Sequence, residues 1–243
     1  MTSEKLSATE RLSPVGTRRA YLGIVFLLVA TVVWGFWRTY FGPLLHGGVS
    51  RPWIIHVHAA VFIGWIALLT TQALLVSSGR IRDHRRLGRV GLVYGCLVFC
   101  LGVAVSFAAP ILHVQAHQMP VERASLVVLY NLTDILLFGA FFAAAMIQRR
   151  RPEWHKRLIL SATVALTSAA VGRIPFGGQG EYLAVWLLPL FASMVVDLVT
   201  QRRVYAISWV SLVVFVAESY KVELFFLSPI WQRVGLALTG LFV

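Results

Sequence analysis

The run YLGIVFLLVATVVWGFW, residues 21–37, contains no charged side chain. As a helix rising 1.5 Å per residue, it and its flanks match a hydrocarbon core about 30 Å thick. Trp34, Phe36, Trp37, Tyr40 and Phe41 gather at its C-terminal end. Amphipathic aromatic rings of that kind belong at a membrane–water boundary. The run is too long for a signal-peptide core and is followed by no small-residue cleavage site, so it predicts a retained span over residues 20–41.

Working outward, similar apolar stretches recur at 53–78, 88–111, 123–147, 157–173, 182–200 and 204–220. They predict an all-α, polytopic transmembrane helical bundle of seven spans. Residues 224–243 are apolar but contain Pro229, Gln232 and Arg233, leaving open an eighth span or a helix lying against the bundle. Residues 1–19 are polar and read as a disordered cytoplasmic tail, which leaves 20–243 as a single membrane domain. Composition agrees: of 243 residues, 58% are hydrophobic and only 13% charged, and the mean hydropathy is +0.76. A soluble enzyme, a disordered chain and a disulfide scaffold are all excluded by those proportions.

The net charge of +12 would suggest nucleic acid in a soluble protein. Its placement suggests otherwise. One set of connecting segments collects Lys5, Arg11, Arg18 and Arg19, then Arg80, Arg82, Arg85, Arg86 and Arg89, then Arg149, Arg150, Arg151, Lys156 and Arg157, and finally Arg202 and Arg203. The opposite side keeps Arg38, Arg51, Arg123, Arg173, Lys221 and Arg233. This asymmetry implies a multi-pass protein of the cytoplasmic (inner) membrane with its N-terminus in the cytoplasm, a partner of lipid and not of nucleic acid.

Polar groups at membrane depth need a partner or a purpose. On the second span, His58, Phe62, Trp65, Leu69 and Gln72 fall on one helical stripe, which should face the bundle interior. His56, two residues earlier, points elsewhere. The fourth span carries Asn131 and Asp134 on one face. Asp134 is either a structural carboxylate or a proton-relay or cofactor neighbour, with Arg173 as the nearest countercharge and His58 a second. Asp197 is expected at the interface. The fifth span is rich in Ser, Thr, Ala and Gly, which permit close helix approach and place it at the bundle centre. The glycine-rich segment 173–181 that follows matches no phosphate-cradling motif and reads as a flexible turn.

The seven histidines divide by side. His84 and His155 each open a helix beside basic residues, as two axial ligands of a haem b would, with Arg85, Arg86, Arg89 and Arg157 available for its propionates. The competing reading is a pair of ordinary headgroup-level histidines. His113 and His117, four apart, have chelate spacing for zinc or copper, which His58 could join, or are simply loop histidines. Cys96 and Cys100 have no zinc spacing and read as small apolar fillers. The segments Asp83-His84-Arg85-Arg86-Leu87 and Trp154-His155-Lys156-Arg157-Leu158 echo one another, as a duplicated helical hairpin would.

The series from His56-Val57-His58 through Trp65, Gln72, Gly79-Arg80 and His84-Arg85-Arg86-Leu87-Gly88-Arg89 to His155-Lys156-Arg157-Leu158 and Arg173 resembles a family of uncharacterised bacterial multi-pass membrane proteins. It is similar also to the four-helix core of membrane di-haem b-type cytochromes and ferric reductases. That resemblance implies membrane electron transfer between a quinol or cytosolic donor and an acceptor. His84 and His155 would be the metal ligands, Arg85 and Arg157 would lie on propionates, and His58 with Asp134 would form an outer proton or cofactor site. The fourth span has no histidine to pair with His58, so one haem or none stays open. The alternative is a small-solute or proton-coupled carrier, or an assembly or partner subunit of a membrane complex.

Overall fold

The computed structural model describes residues 14–47, 51–220 and 228–240, and every regular element among them is helical. The helices are α1 (Pro14–Phe36), α2 (Gly42–Leu45), α3 (Trp53–Ser77), α4 (Ile81–Gln115), α5 (Val121–Ile147), α6 (Pro152–Val171), α7 (Gln179–Gln201), α8 (Ala206–Ser219) and α9 (Pro229–Gly240). A widened helical turn, Trp37–Phe41, joins α1 to α2, so the first span continues to Leu45.

Five segments are long and apolar enough to cross a membrane: Gly16–Leu45, α3, α4, α5 and α7. The other two expected spans coincide with α6 and α8, and α8 has only 14 residues. Of the expected tail, residues 1–13 lie outside the described residues, as does the whole 221–227 connection with Lys221; α1 already begins at Pro14. The segment read as a possible eighth span contains α9, a 12-residue helix packed on α5.

Successive helices run in alternate directions. The start of α1 meets the end of α7 through Tyr21 and Asp197, while its far end meets the end of α6 through Phe36 and Arg173. The turns after α3, α5 and α7 thus share one end, called here the basic end for its arginines; the turns after α4 and α6 share the far end.

Contacts close a ring: α1 on α3, α3 on α4, α4 on α5, α5 on α6, and α6 back on α1. α7 and α8 pack outside α6. Twelve of the twenty residues of α6 are buried, whereas α3 buries only Trp65. This explains how α6 can be rich in Ser and Thr: its neighbours are protein, so it needs no lipid-compatible surface. The small side chains also allow contact at backbone distance. Gly35 of α1 lies so near the Ala170 backbone that a Cβ there would collide with it.

The ring has no open axis at its middle. Trp65 stands edge-on to Phe138 and Phe142, with centroids 5.2 and 5.7 Å away, and donates its indole N–H to Thr163 Oγ1 at 3.3 Å. A second aromatic group, Trp186, Phe215 and Phe141, packs on the other side of α6, where Trp186 Nε1 donates to the Val164 carbonyl at 2.9 Å. The expected stripe from His58 to Gln72 does face inward. The aromatic plug divides it into two polar ends.

Candidate functional site

At the basic end, His84 and His155 are each the fourth residue of their helix, α4 and α6. That equivalence is the position the repeated sequence echo anticipates. The two imidazoles lie within electrostatic reach of one another. His155 Nδ1 is 3.0 Å from the Ala145 carbonyl of α5, an acceptor that fixes the proton on Nδ1 and leaves Nε2 with its lone pair open. Gln72 of α3 reaches His84. With its amide turned so that the oxygen accepts from the Gly88 N–H at 3.0 Å, the nitrogen donates to the His84 carbonyl at 3.2 Å and to Nδ1 at 2.5 Å. That orientation puts the His84 proton on Nε2. The reverse orientation would set the amide oxygen against the His84 carbonyl and the amide nitrogen against the Gly88 N–H, so the first is the one the surroundings satisfy.

The donor set fits a two-imidazole iron in kind, two histidines from different helices, but only His155 has Nε2 open; ligation through His84 Nε2 would require the Gln72 amide to turn over. The arginines assigned to the propionates do not converge on it. Arg85 follows His84 and so stands about 100° around α4 from it. With Ile81, Arg82, Arg86 and Arg89 it lines an open groove of about 530 Å³ on the other face of the helix.

Arg157 is engaged elsewhere. It is 2% exposed, and its guanidinium binds both carboxylate oxygens of Asp197, Nε to Oδ2 at 2.7 Å and Nη2 to Oδ1. Asp197, expected at the interface, is fully buried on α7. The reason is local. α6 has no lipid face on which Arg157 could snorkel outward, and a buried guanidinium requires a carboxylate at bidentate distance. Tyr21 donates to Asp197 Oδ1 at 3.2 Å, and Tyr205 stacks under Arg157 at 3.8 Å. Glu153 continues the network, receiving Lys156 Nζ at 2.7 Å and Arg157 Nη1 at 2.9 Å. Burial pushes the Glu153 carboxyl up, but the hydrogen bonds and charges of Lys156 and Arg157 outweigh that and hold it below its ordinary value.

On the other side of the plug, Asp134 accepts a short hydrogen bond from Ser168 of α6. It is within electrostatic reach of Tyr130 and Tyr182, as is Glu218 of α8, which accepts from Thr133 Oγ1 at 3.2 Å. Arg173 is therefore not the partner of Asp134, contrary to expectation. Its guanidinium donates to the Ala169 carbonyl, lies 4.7 Å over the Phe36 ring, and is within reach of His58 and Arg51. His58 lies against Phe62, ring centroids 4.2 Å apart and the planes tilted by 40°, and its buried Nδ1 has no hydrogen-bond partner. His56 turns away to the Tyr40 hydroxyl at 3.1 Å, as the two-residue spacing anticipates.

His113 bonds Gln118 at 2.8 Å, His117 takes a positive φ of 54°, and no group of three metal-ligating side chains forms among the described residues. Cys96 and Cys100 are free and exposed. In the glycine-rich turn, the Gly177 N–H donates to Glu181 at 2.8 Å. Sequence reasoning missed the pairing of Arg157 with Asp197 and the approach of Glu218 and Arg51 to their sites. For the first, the one available signal was an acidic residue, Asp197, inside an otherwise apolar stretch and so in need of a basic partner. No family model matches the chain, and no curated protein or solved structure matches it either.

Proposed function

We propose that this integral membrane bundle is a redox protein of the bacterial inner membrane that holds one haem b between His84 and His155 and exchanges electrons with a membrane quinone. The observation that carries the reading is that those two imidazoles, at equivalent positions of α4 and α6, lie within electrostatic reach of one another, each engaged at Nδ1 by a neighbouring helix. Haem iron, when ligated by two imidazoles, supplies a reversible one-electron couple.

The chain's own residues supply the rest. The Ala145 carbonyl holds the His155 ring with Nε2 available, and Gln72 holds His84 at Nδ1, so binding of the iron to His84 Nε2 would turn the Gln72 amide over. The aromatic plug of Trp65, Phe138 and Phe142 separates this end from the polar groups around His58 and keeps water from crossing between them. The excess of arginine in the turns at this end supports a cytoplasmic position for it and for the N-terminus.

The test is an optical spectrum of the purified full chain expressed with haem supplied. A Soret band that is lost in both His84→Ala and His155→Ala, and shifted in Gln72→Leu, is the expected result. Absence of the band from the wild-type chain, or its survival in both alanine variants, overturns the assignment.

A further inference from the structure

Among the described residues, the far end of the ring gathers positive charge with no ion-paired counterion. Arg51, just ahead of α3, and Arg173, just after α6, act electrostatically on one another, and Arg173 acts on His58. Each guanidinium uses one backbone carbonyl: Arg51 Nη2 donates to Thr39 O at 2.6 Å and Arg173 Nη1 to Ala169 O. Most of their five N–H donors are left over. None of the ion pairs among the described residues includes either arginine. The nearest acid in the sequence of this turn, Glu181, accepts the Gly177 N–H, and Asp134 accepts from Ser168.

Two further groups at this end are unsatisfied. His58 Nδ1 and Thr39 Oγ1 are both buried with no hydrogen-bond partner. Buried polar atoms are ordinarily paired, and like charges separate unless something holds them together. Arg51 is tied to Thr39 and Arg173 lies over Phe36, three residues earlier on the same span, so the two guanidinium forks come to one end of α1. With the imidazole and the hydroxyl they supply the donors that a tetrahedral oxyanion takes, its oxygens accepting several charge-assisted hydrogen bonds at once.

We propose that Arg51, Arg173, His58 and Thr39 form a binding site for a phosphate group at the far end of the bundle. The group is either the headgroup of an anionic phospholipid or a free phosphate, since Arg173 is exposed and both sources can reach it. The site is separate from the His84–His155 pair and does not depend on haem.

The experiment uses the purified full chain in detergent, titrated with short-chain phosphatidylglycerol, with short-chain phosphatidylcholine and with inorganic phosphate, with bound species counted by native mass spectrometry. Saturable binding of phosphatidylglycerol over phosphatidylcholine identifies the lipid, and saturable binding of inorganic phosphate alone identifies the free anion. Arg51→Gln/Arg173→Gln should weaken the bound species about tenfold or more. Arg38→Gln, which removes an exposed charge from the same end, should leave it unchanged. Because the double variant could fail to fold, the wild-type chain is also labelled with phenylglyoxal; bound phosphate or lipid should protect Arg51 and Arg173 and leave Arg38 reactive. Binding of neither probe, equal loss in Arg38→Gln, or no selective protection overturns the proposal.

Discussion

The two ends of this bundle handle cationic side chains in opposite ways. At the basic end Arg157 is taken fully into the protein and matched to a buried carboxylate, with Tyr21, Tyr205 and Glu153 closing the network around it. At the far end Arg51 and Arg173 sit near one another with backbone carbonyls and the Phe36 ring, but no carboxylate among the described residues, as partners. A charge matched from within contributes to the fold, and removing its partner leaves it stranded. A charge matched only from outside can be removed at little cost to the fold but at a large cost to whatever it binds. The sharpest test is Asp197→Ala, expected to destabilise by about 3–5 kcal/mol because it removes the bidentate partner of a buried guanidinium and leaves only the outlying Glu153. Arg173→Gln should change stability by about 0.5 kcal/mol or less. Thermal unfolding of the purified variants reads both. Equal losses would erase the distinction.

The next effect concerns what allows α6 to occupy the centre. α1 is pinched against it where Gly35 faces the Ala170 backbone, while Gly23, nearer the other end of α1, has open space around the position of a Cβ. Gly35→Ala should therefore cost about 1–3 kcal/mol through overpacking against a backbone that cannot swing aside. Gly23→Ala should be neutral or stabilise by about 0.5–1 kcal/mol, since alanine restricts the unfolded chain and both are helical. The same substitution on one helix thus separates the two regions. A loss at both sites, or at neither, would mean that α1 does not rest on α6 at this contact.

Much of this architecture is legible in the sequence because lipid imposes a length and an apolar surface on every segment that faces it. The stretches read at 53–78 and 123–147 correspond to α3 and α5 almost to the residue. α6 is legible for a different reason: its run of Ser, Thr, Ala and Gly has too little bulk for a lipid face, and the structure places it among four protein neighbours. The sites were less legible. Arg157 and Asp197 lie forty residues apart on different helices, and nothing in either local pattern says which rotation turns the arginine inward. The nearness of Arg157 to His155 in the sequence points to a propionate contact, but two residues of helix turn them about 200° apart, and Arg157 faces α7. Spacing within one helix located the His58 stripe; only packing between helices brings Arg51 to Arg173.

The smallest expected effect refines the account of the basic end, because it asks whether the outermost carboxylate belongs to the matched network. Glu153 is held below its ordinary pKa of 4.5 by Lys156 and Arg157 despite burial. A carboxylate with a depressed folded pKa adds stability that is fully present above the unfolded value and disappears as pH falls through the folded one. Lys156 and Arg157 keep their charge over that acid range, so the loss is attributable to protonation of Glu153 and not of its partners. Melting temperature followed from about pH 7 to about pH 3 should therefore fall less steeply below about pH 4.5 in Glu153→Gln than in the wild-type chain, and the two curves should be parallel above it. The glutamine can still accept a hydrogen bond from Lys156, so the difference isolates the charge. Parallel curves throughout would place Glu153 outside the network and leave Asp197 as the sole acidic partner of Arg157 at that end, which would make the penalty for Asp197→Ala larger still.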